Sequence, residues 1–168
     1  KHINKEWLME RVASGRIAIP ANKNHINLIG KGVGDGLLTK VNVNLGVSEA
    51  CNNMEMEIDK VRNAINLKAD AIMDLSIFGD TRAFRRRLVE ESPVMLGTVP
   101  MYDAVAKLGK NIKDMSVDDL FRVTEEHMVD GIDFLTIHAG LNRTCVERVQ
   151  KNPRLTHIVS RGGSILYE

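Results

Sequence analysis

Seven residues of this 168-residue chain have the types that a small, polar, phosphorylated ligand requires. They are Asn44, Met73, Tyr102, His138 and the run Ser160-Arg161-Gly162. Arg161 carries a fixed cation in a planar fork that matches phosphate oxygens. Gly162 and the following Gly163 allow backbone N–H groups to approach an anion closely. Asn44, Tyr102 and His138 add donors and acceptors, and Met73 adds an apolar, polarisable surface. Each also has a purely structural reading. Asn44 can cap a loop, Met73 can fill a core and Tyr102 can be half-buried packing. His138 can be a satisfied buried imidazole, and Gly162-Gly163 can be only a turn. Position separates the two readings, because all seven fall at successive strand ends once the elements are laid out.

Those elements follow from periodicity. Glu6–Ala13 reads as a short helix, and Ile17–Pro20 as an extended segment. Residues 21–25 form a polar loop in which His25 is expected to be solvated. Gly30–Gly36 holds four glycines, no helix or strand pattern, and no Gly-Lys-Ser/Thr ending of a nucleotide P-loop. Leu38–Leu45 alternates strictly, with Val41, Val43 and Leu45 on one side, which predicts the first strand. Met54, Ile58, Val61 and Ile65 recur at helical spacing. Ala71–Leu75 is the second strand, where Asp74 is expected to hydrogen-bond amides of the next turn. A helix marked by Phe84 and Leu88 is expected to carry Arg85, Arg86 and Arg87 on a solvated face. Ser92-Pro93 ends it, and Val94–Val99 is the third strand. A short helix from about Tyr102 to Leu108 leads to a turn at Gly109-Lys110-Asn111. Ser116 and Asp119 form a capping box that opens a helix ending at Gly131. Phe134–His138 is the fourth strand, Arg143–Lys151 a helix, and His157–Ser160 the fifth strand. A last helix is expected to be starting at Leu166-Tyr167-Glu168.

Alternating strand and helix is the pattern of parallel βα units. The predicted class is α/β, a (β/α)8 TIM-type barrel of which the chain holds about the first five strands. Residues 1–36 form an N-terminal extension, and residues 37–168 the first part of the barrel, cut at its C-terminus. Chemistry in such barrels sits at the C-terminal strand ends. Asn44, Met73 with Asp74, Tyr102, His138 and Ser160-Arg161-Gly162 lie at the ends of strands one to five in that order, on one rim.

Composition narrows the function classes. The net charge is +1, and no basic stripe is interleaved with aromatics, which argues against a nucleic-acid partner. No apolar run is long enough to span a bilayer, and no signal peptide is visible. Cys51 and Cys145 lack metal-type spacing and read as free thiols of a reducing, cytoplasmic compartment.

Several segments carry a resemblance. Thr39-Lys40-Val41-Asn42-Val43-Asn44-Leu45-Gly46 resembles an element of the thiamin pyrimidine synthase (phosphomethylpyrimidine synthase) family. The likeness continues through 69–76, 92–102, 131–140 and 158–164, in order and at similar spacing from Ile19 onward. The resemblance implies a radical S-adenosylmethionine enzyme with a (β/α)8 barrel. It would rearrange 5-aminoimidazole ribotide into hydroxymethylpyrimidine phosphate, the thiamin precursor, releasing formate and carbon monoxide. It also implies that Asn44, Met73, Tyr102, His138, Ser160, Arg161 and Gly162 contact substrate. S-adenosylmethionine, a [4Fe–4S] cluster, a divalent metal (zinc or iron) and a homodimer of the complete protein are implied as well. The family's Cys-rich tail, metal-binding His pair and Asp-Gly-Leu-Arg loop have no counterpart here, so the segment alone is expected to be inactive and to hold no metal.

Three departures keep a related product open. Ile77-Phe78, Met101-Tyr102-Asp103-Ala104 and Leu141-Asn142-Arg143 differ from common thiamin-type versions. The alternative is 5-hydroxybenzimidazole synthase, which makes the lower-ligand precursor of cobalamin from the same substrate. A different class of reading is a non-catalytic ligand-binding truncated barrel. An aldolase-like phosphate enzyme ranks last, because no lysine or carboxylate pair stands at the strand ends.

Overall fold

The computed structural model describes residues 3–109 and 111–167. The predicted turn residue Lys110 and the terminal Glu168 lie outside them. Helix α1 (Lys5–Ala13) leads into a two-stranded antiparallel sheet of β1 (Ile17–Ala18) and β2 (Val33–Gly34). Strand β2 lies in the glycine-rich stretch that shows no strand pattern by sequence. It is two residues long, too short to register as periodicity.

The main sheet has four parallel strands: β3 (Asn42–Leu45), β4 (Ala71–Asp74), β5 (Met95–Thr98) and β6 (Phe134–Leu135), in that spatial order. Helices follow the strands: α2 (Met54–Asn66), α3 (Thr81–Glu91), α4 (Pro100–Leu108), α5 (Val117–Val129), α6 (Arg143–Lys151) and α7 (Arg161–Tyr167). Several starts are capped by side chains. Asn53, Asp80 and Asn142 each accept a backbone N–H, and Ser116 with Asp119 forms the expected capping box. The structure therefore has an α/β architecture with a parallel sheet.

Alternation assigns each strand residue a face. Leu45, Ile72 and Leu96 pack with Ile58 and Val61 of α2 and Phe84 and Leu88 of α3 in one apolar cluster. Ile58, Ile72, Phe84, Leu88 and Leu96 are at most 1% exposed. Each such burial contributes roughly 1.5–3 kcal/mol relative to an exposed side chain. The residues one position before Leu45, in register across the sheet, are Asn44, Met73, Gly97 and Phe134. They occupy the opposite face. Gly97 is required there, because a Cβ would collide with the Phe134 ring.

Several expectations are corrected. The first strand starts at Asn42, and Val41 is exposed, because only Val43 and Leu45 meet the core. The fourth strand is two residues long, although Thr136 N–H still donates to the Thr98 carbonyl. The fifth strand does not form: residues 157–160 have no ladder partner among the described residues, and Val159 is 78% exposed. The final helix starts at Arg161, not at Leu166.

His25 is not solvated but buried. Its Nδ1 lies 2.7 Å from Asp133 Oδ2 and its Nε2 lies 2.7 Å from the Ser92 carbonyl. Burial alone would depress its pKa, but the Asp133 and Ser92 hydrogen bonds outweigh it and the pKa is raised. The Asn22 side-chain amide donates to the Met128 and Ile132 carbonyls, and its backbone N–H donates to Asp133. The segment thus straps the bases of β5 and β6.

The three arginines do not share one solvated face. Arg85 is 1% exposed, donating to Asp103 at 3.3 Å and to Asp130 at 3.0 Å. Arg86 and Arg82 reach Asp130 from the surface. A buried guanidinium requires such partners, and α4 and α5 supply them.

Candidate functional site

Tyr102 stands in the first turn of α4. Pro100 opens that helix, where its fixed φ suits the start and its missing N–H costs nothing. The Tyr102 hydroxyl accepts a hydrogen bond from the Gly162 N–H at 3.1 Å. The Arg161 guanidinium lies over the same ring, 5.6 Å from its centroid, within cation–π range. The His138 ring is tilted by 36° against Tyr102 at a centroid distance of 6.1 Å. Its Nε2 lies 3.5 Å from Ser160 Oγ. Five of the seven candidates, Tyr102, His138, Ser160, Arg161 and Gly162, therefore form one contact cluster.

Gly162 is required for that closeness. A Cβ at this position would run into the His138 imidazole. His138 Nδ1 is buried and has no hydrogen-bond partner among the described residues. A buried polar atom left unpaired costs about 1–3 kcal/mol. Arg161 is exposed, and no carboxylate among the described residues pairs with it. Among the described residues the cluster thus presents a guanidinium with no carboxylate partner and an imidazole nitrogen with no hydrogen-bond partner.

The glycine backbone is not free, contrary to the expectation that it would cradle an anion. Gly162 N–H is taken by Tyr102, Gly163 N–H donates to Ser160 Oγ at 3.2 Å, and Ser164 N–H donates to the Ser160 carbonyl. Anion binding here falls to the Arg161 side chain.

Met73 and Asn44 sit apart from the cluster, in register along the same sheet face. The Met73 sulfur accepts a contact from the Thr136 hydroxyl at 3.7 Å. The exposed Asn44 holds its amide oxygen toward Asn42 Nδ2 at 2.7 Å. No hydrogen bond or ring contact joins either residue to the cluster among the described residues. Asp74 takes its plain reading: its carboxylate accepts from the Ser76 N–H at 2.9 Å, and burial raises its pKa to about 6.

Two groups were missed by sequence reasoning. Thr136 lies two residues before His138, and period two would place both on one face. His127 lies four residues after Val123 on the buried face of α5, so helical spacing could have marked it as interior.

The three sequence departures all have structural positions. Asp103 is buried among Arg85, His127 and Thr81. Asn142 caps α6. Phe78 is 39% exposed and borders a small cavity with Met54 and Phe84. No three His, Cys, Asp or Glu side chains among the described residues converge to hold a metal. Cys51 and Cys145 are free. The described residues therefore do not fit a metal ion or an iron–sulfur cluster.

A family model described as the radical SAM ThiC family matches residues 1–168. A phosphomethylpyrimidine synthase of Clostridium tetani is 58% identical over 165 residues, covering 98% of this chain and 36% of its own length. A protein of the same name from Clostridium perfringens is 57% identical over 165 residues, covering 98% of this chain and 38% of its own. Another, from Pelotomaculum thermopropionicum, is 59% identical over 160 residues, with coverage of 95% and 37%. The chain spans little more than a third of the length of these relatives.

Proposed function

The chain belongs to the radical SAM ThiC family, and from that premise we propose that it supplies part of the substrate site of a phosphomethylpyrimidine synthase in thiamin biosynthesis. The proposed reaction rearranges 5-aminoimidazole ribotide into hydroxymethylpyrimidine phosphate, with loss of formate and carbon monoxide. The observation that carries it is the cluster of Tyr102, His138, Ser160, Arg161 and Gly162, in which, among the described residues, the guanidinium has no carboxylate partner and His138 Nδ1 has no hydrogen-bond partner.

In this reading Arg161 takes the ribotide phosphate by charge-assisted hydrogen bonds. His138 Nδ1 pairs with a polar group of the ribose or imidazole, which satisfies the buried nitrogen. Tyr102 fixes the Arg161–Gly162 turn and walls the ring. Met73 and Asn44 extend the same surface along the sheet, Met73 as an apolar wall and Asn44 as a hydrogen-bonding edge. The parallel sheet is read as the first part of a (β/α)8 barrel completed by further chain. The family description implies S-adenosylmethionine and an iron–sulfur cluster, and we place their ligands, and those of a divalent metal, beyond these residues. A cytoplasmic homodimer is the proposed form of the complete protein.

A 5-hydroxybenzimidazole product gains no support from the structure. Of the departures that suggested it, Asp103 lies in the buried polar layer, Asn142 is a helix cap and Phe78 borders the α2–α3 packing. Anaerobic incubation of the complete, cluster-reconstituted protein with ribotide and S-adenosylmethionine tests the proposal. Pyrimidine phosphate is the expected product. Hydroxybenzimidazole, or ribotide bound and returned unchanged, would overturn it.

A further inference from the structure

His127 lies on α5, 2% exposed, behind the turn that joins β5 to α4. Its Nδ1 is 2.8 Å from the Thr98 hydroxyl, and its Nε2 is 2.9 Å from Asp103 Oδ2. Thr98 is the last residue of β5, and Asp103 lies in the first turn of α4. Tyr102 lies between them in sequence, so one imidazole ties together both ends of the turn that delivers it.

The partners dictate the protonation. Although burial opposes ionisation of Asp103, hydrogen bonds from His127 and Thr81 and the Arg85 charge hold its pKa down to about 2. An ionised carboxylate only accepts, so His127 Nε2 carries the proton. Burial, aided by the Arg85 charge, lowers the His127 pKa and keeps the ring neutral. Nδ1 then accepts from the Thr98 hydroxyl. Donor and acceptor are both used, and the ring has no rotational freedom left.

We propose that His127 is a positioning residue for the ribotide site. By tying Thr98 to Asp103 it sets where the Tyr102 hydroxyl meets Gly162 N–H and where the Tyr102 ring lies beneath Arg161. The proposal rests on the reading that this cluster binds ribotide. A histidine that merely fills the core would affect stability without affecting the ligand.

The test uses the complete, cluster-reconstituted protein. His127→Leu keeps bulk and removes both bonds, whereas His127→Gln keeps a donor and an acceptor. Losing two buried bonds should weaken ribotide binding about tenfold or more in His127→Leu, with His127→Gln recovering most of it. In a Tyr102→Phe background, where the hydroxyl contact is already gone, the same change should cost about twofold or less, because the two residues act as a unit. Equal losses in both backgrounds, or a lowered Tm with unchanged affinity, would overturn the proposal. If His127→Leu fails to fold, Thr98→Val cuts one bond only, and unchanged ribotide affinity in that variant would overturn it. A ligand-free readout separates this proposal from the functional reading. The Gly162 amide proton resonance should shift upfield in His127→Leu as its bond to Tyr102 lengthens, and an unmoved resonance would overturn the proposal. A wild-type protein that binds no ribotide would overturn the functional reading and the ribotide role of His127 with it, whereas a shifted Gly162 resonance would still show that His127 positions Tyr102.

Discussion

Arg161 and Gly162 are neighbours in sequence, but their substitutions should fail in different ways. Arg161 is exposed and has no carboxylate partner among the described residues, so folding gains little from it. In the complete protein Arg161→Ala should leave Tm nearly unchanged and weaken ribotide binding by about tenfold or more, the scale of a lost charge-assisted hydrogen bond. Calorimetry for stability and equilibrium binding for affinity check this, and equal affinity would remove Arg161 from the site. Gly162→Ala acts through crowding. Its methyl group would meet the His138 ring, so the imidazole must move and the Gly162–Tyr102 bond with it. Both stability and affinity should fall, by about 1–3 kcal/mol in stability, the usual cost of overpacking. A crystal structure of the variant with His138 unmoved would contradict this account. His138 Nδ1 adds a third case: a ligand that reaches this nitrogen relieves a burial cost that the free protein carries.

At the scale of elements, the strap formed by Asn22 and His25 carries a pH dependence of defined sign. Asp133 and the Ser92 carbonyl both accept from His25, so the bound form is the imidazolium. Its folded pKa is raised above the ordinary value. Its stabilisation is therefore fully present below about pH 6.5 and is lost as pH rises through the folded pKa. His25→Gln should cost about 1.5–3 kcal/mol near pH 6 and less in alkaline solution. Urea unfolding of wild type and variant across pH gives the difference curve, and a difference that grows with pH would refute it. This strap was illegible in the sequence because its partner stands 108 residues away. Arg85 was misread for a similar reason, since the acids that allow its burial come from α4 and α5. Local pattern served better elsewhere. The helices at Met54–Asn66 and Val117–Val129 and the strand at Ala71–Asp74 follow the spacing of their apolar residues and caps. Five of the seven strand-end candidates come together, but Tyr102, Arg161 and Gly162 are delivered by helix starts, and no fifth strand forms. Nothing local separates these cases at Ile158-Val159, because a strand is defined by its neighbour.

Across the whole molecule, β3 and β6 end the sheet, each paired on one side only among the described residues. Ile26, Leu38, Leu67 and Leu155 are also largely exposed. Unpaired edges and exposed apolar side chains favour association. The 168-residue chain expressed by itself should therefore run above its monomer mass of 18.7 kDa in light scattering at moderate concentration. Extending it over the full length of its relatives should suppress this, and a short chain that runs as a monomer would count against the barrel reading. The bond between Gly162 N–H and Tyr102 has a further consequence, for the order of folding. It joins residues 60 apart, whereas α2 and α3 pack on strands beside them in sequence. Loop closure of that length is entropically costly and tends to follow the closing of shorter contacts. The site should therefore assemble after the sheet, so that Tyr102→Phe speeds unfolding and leaves the refolding rate nearly unchanged.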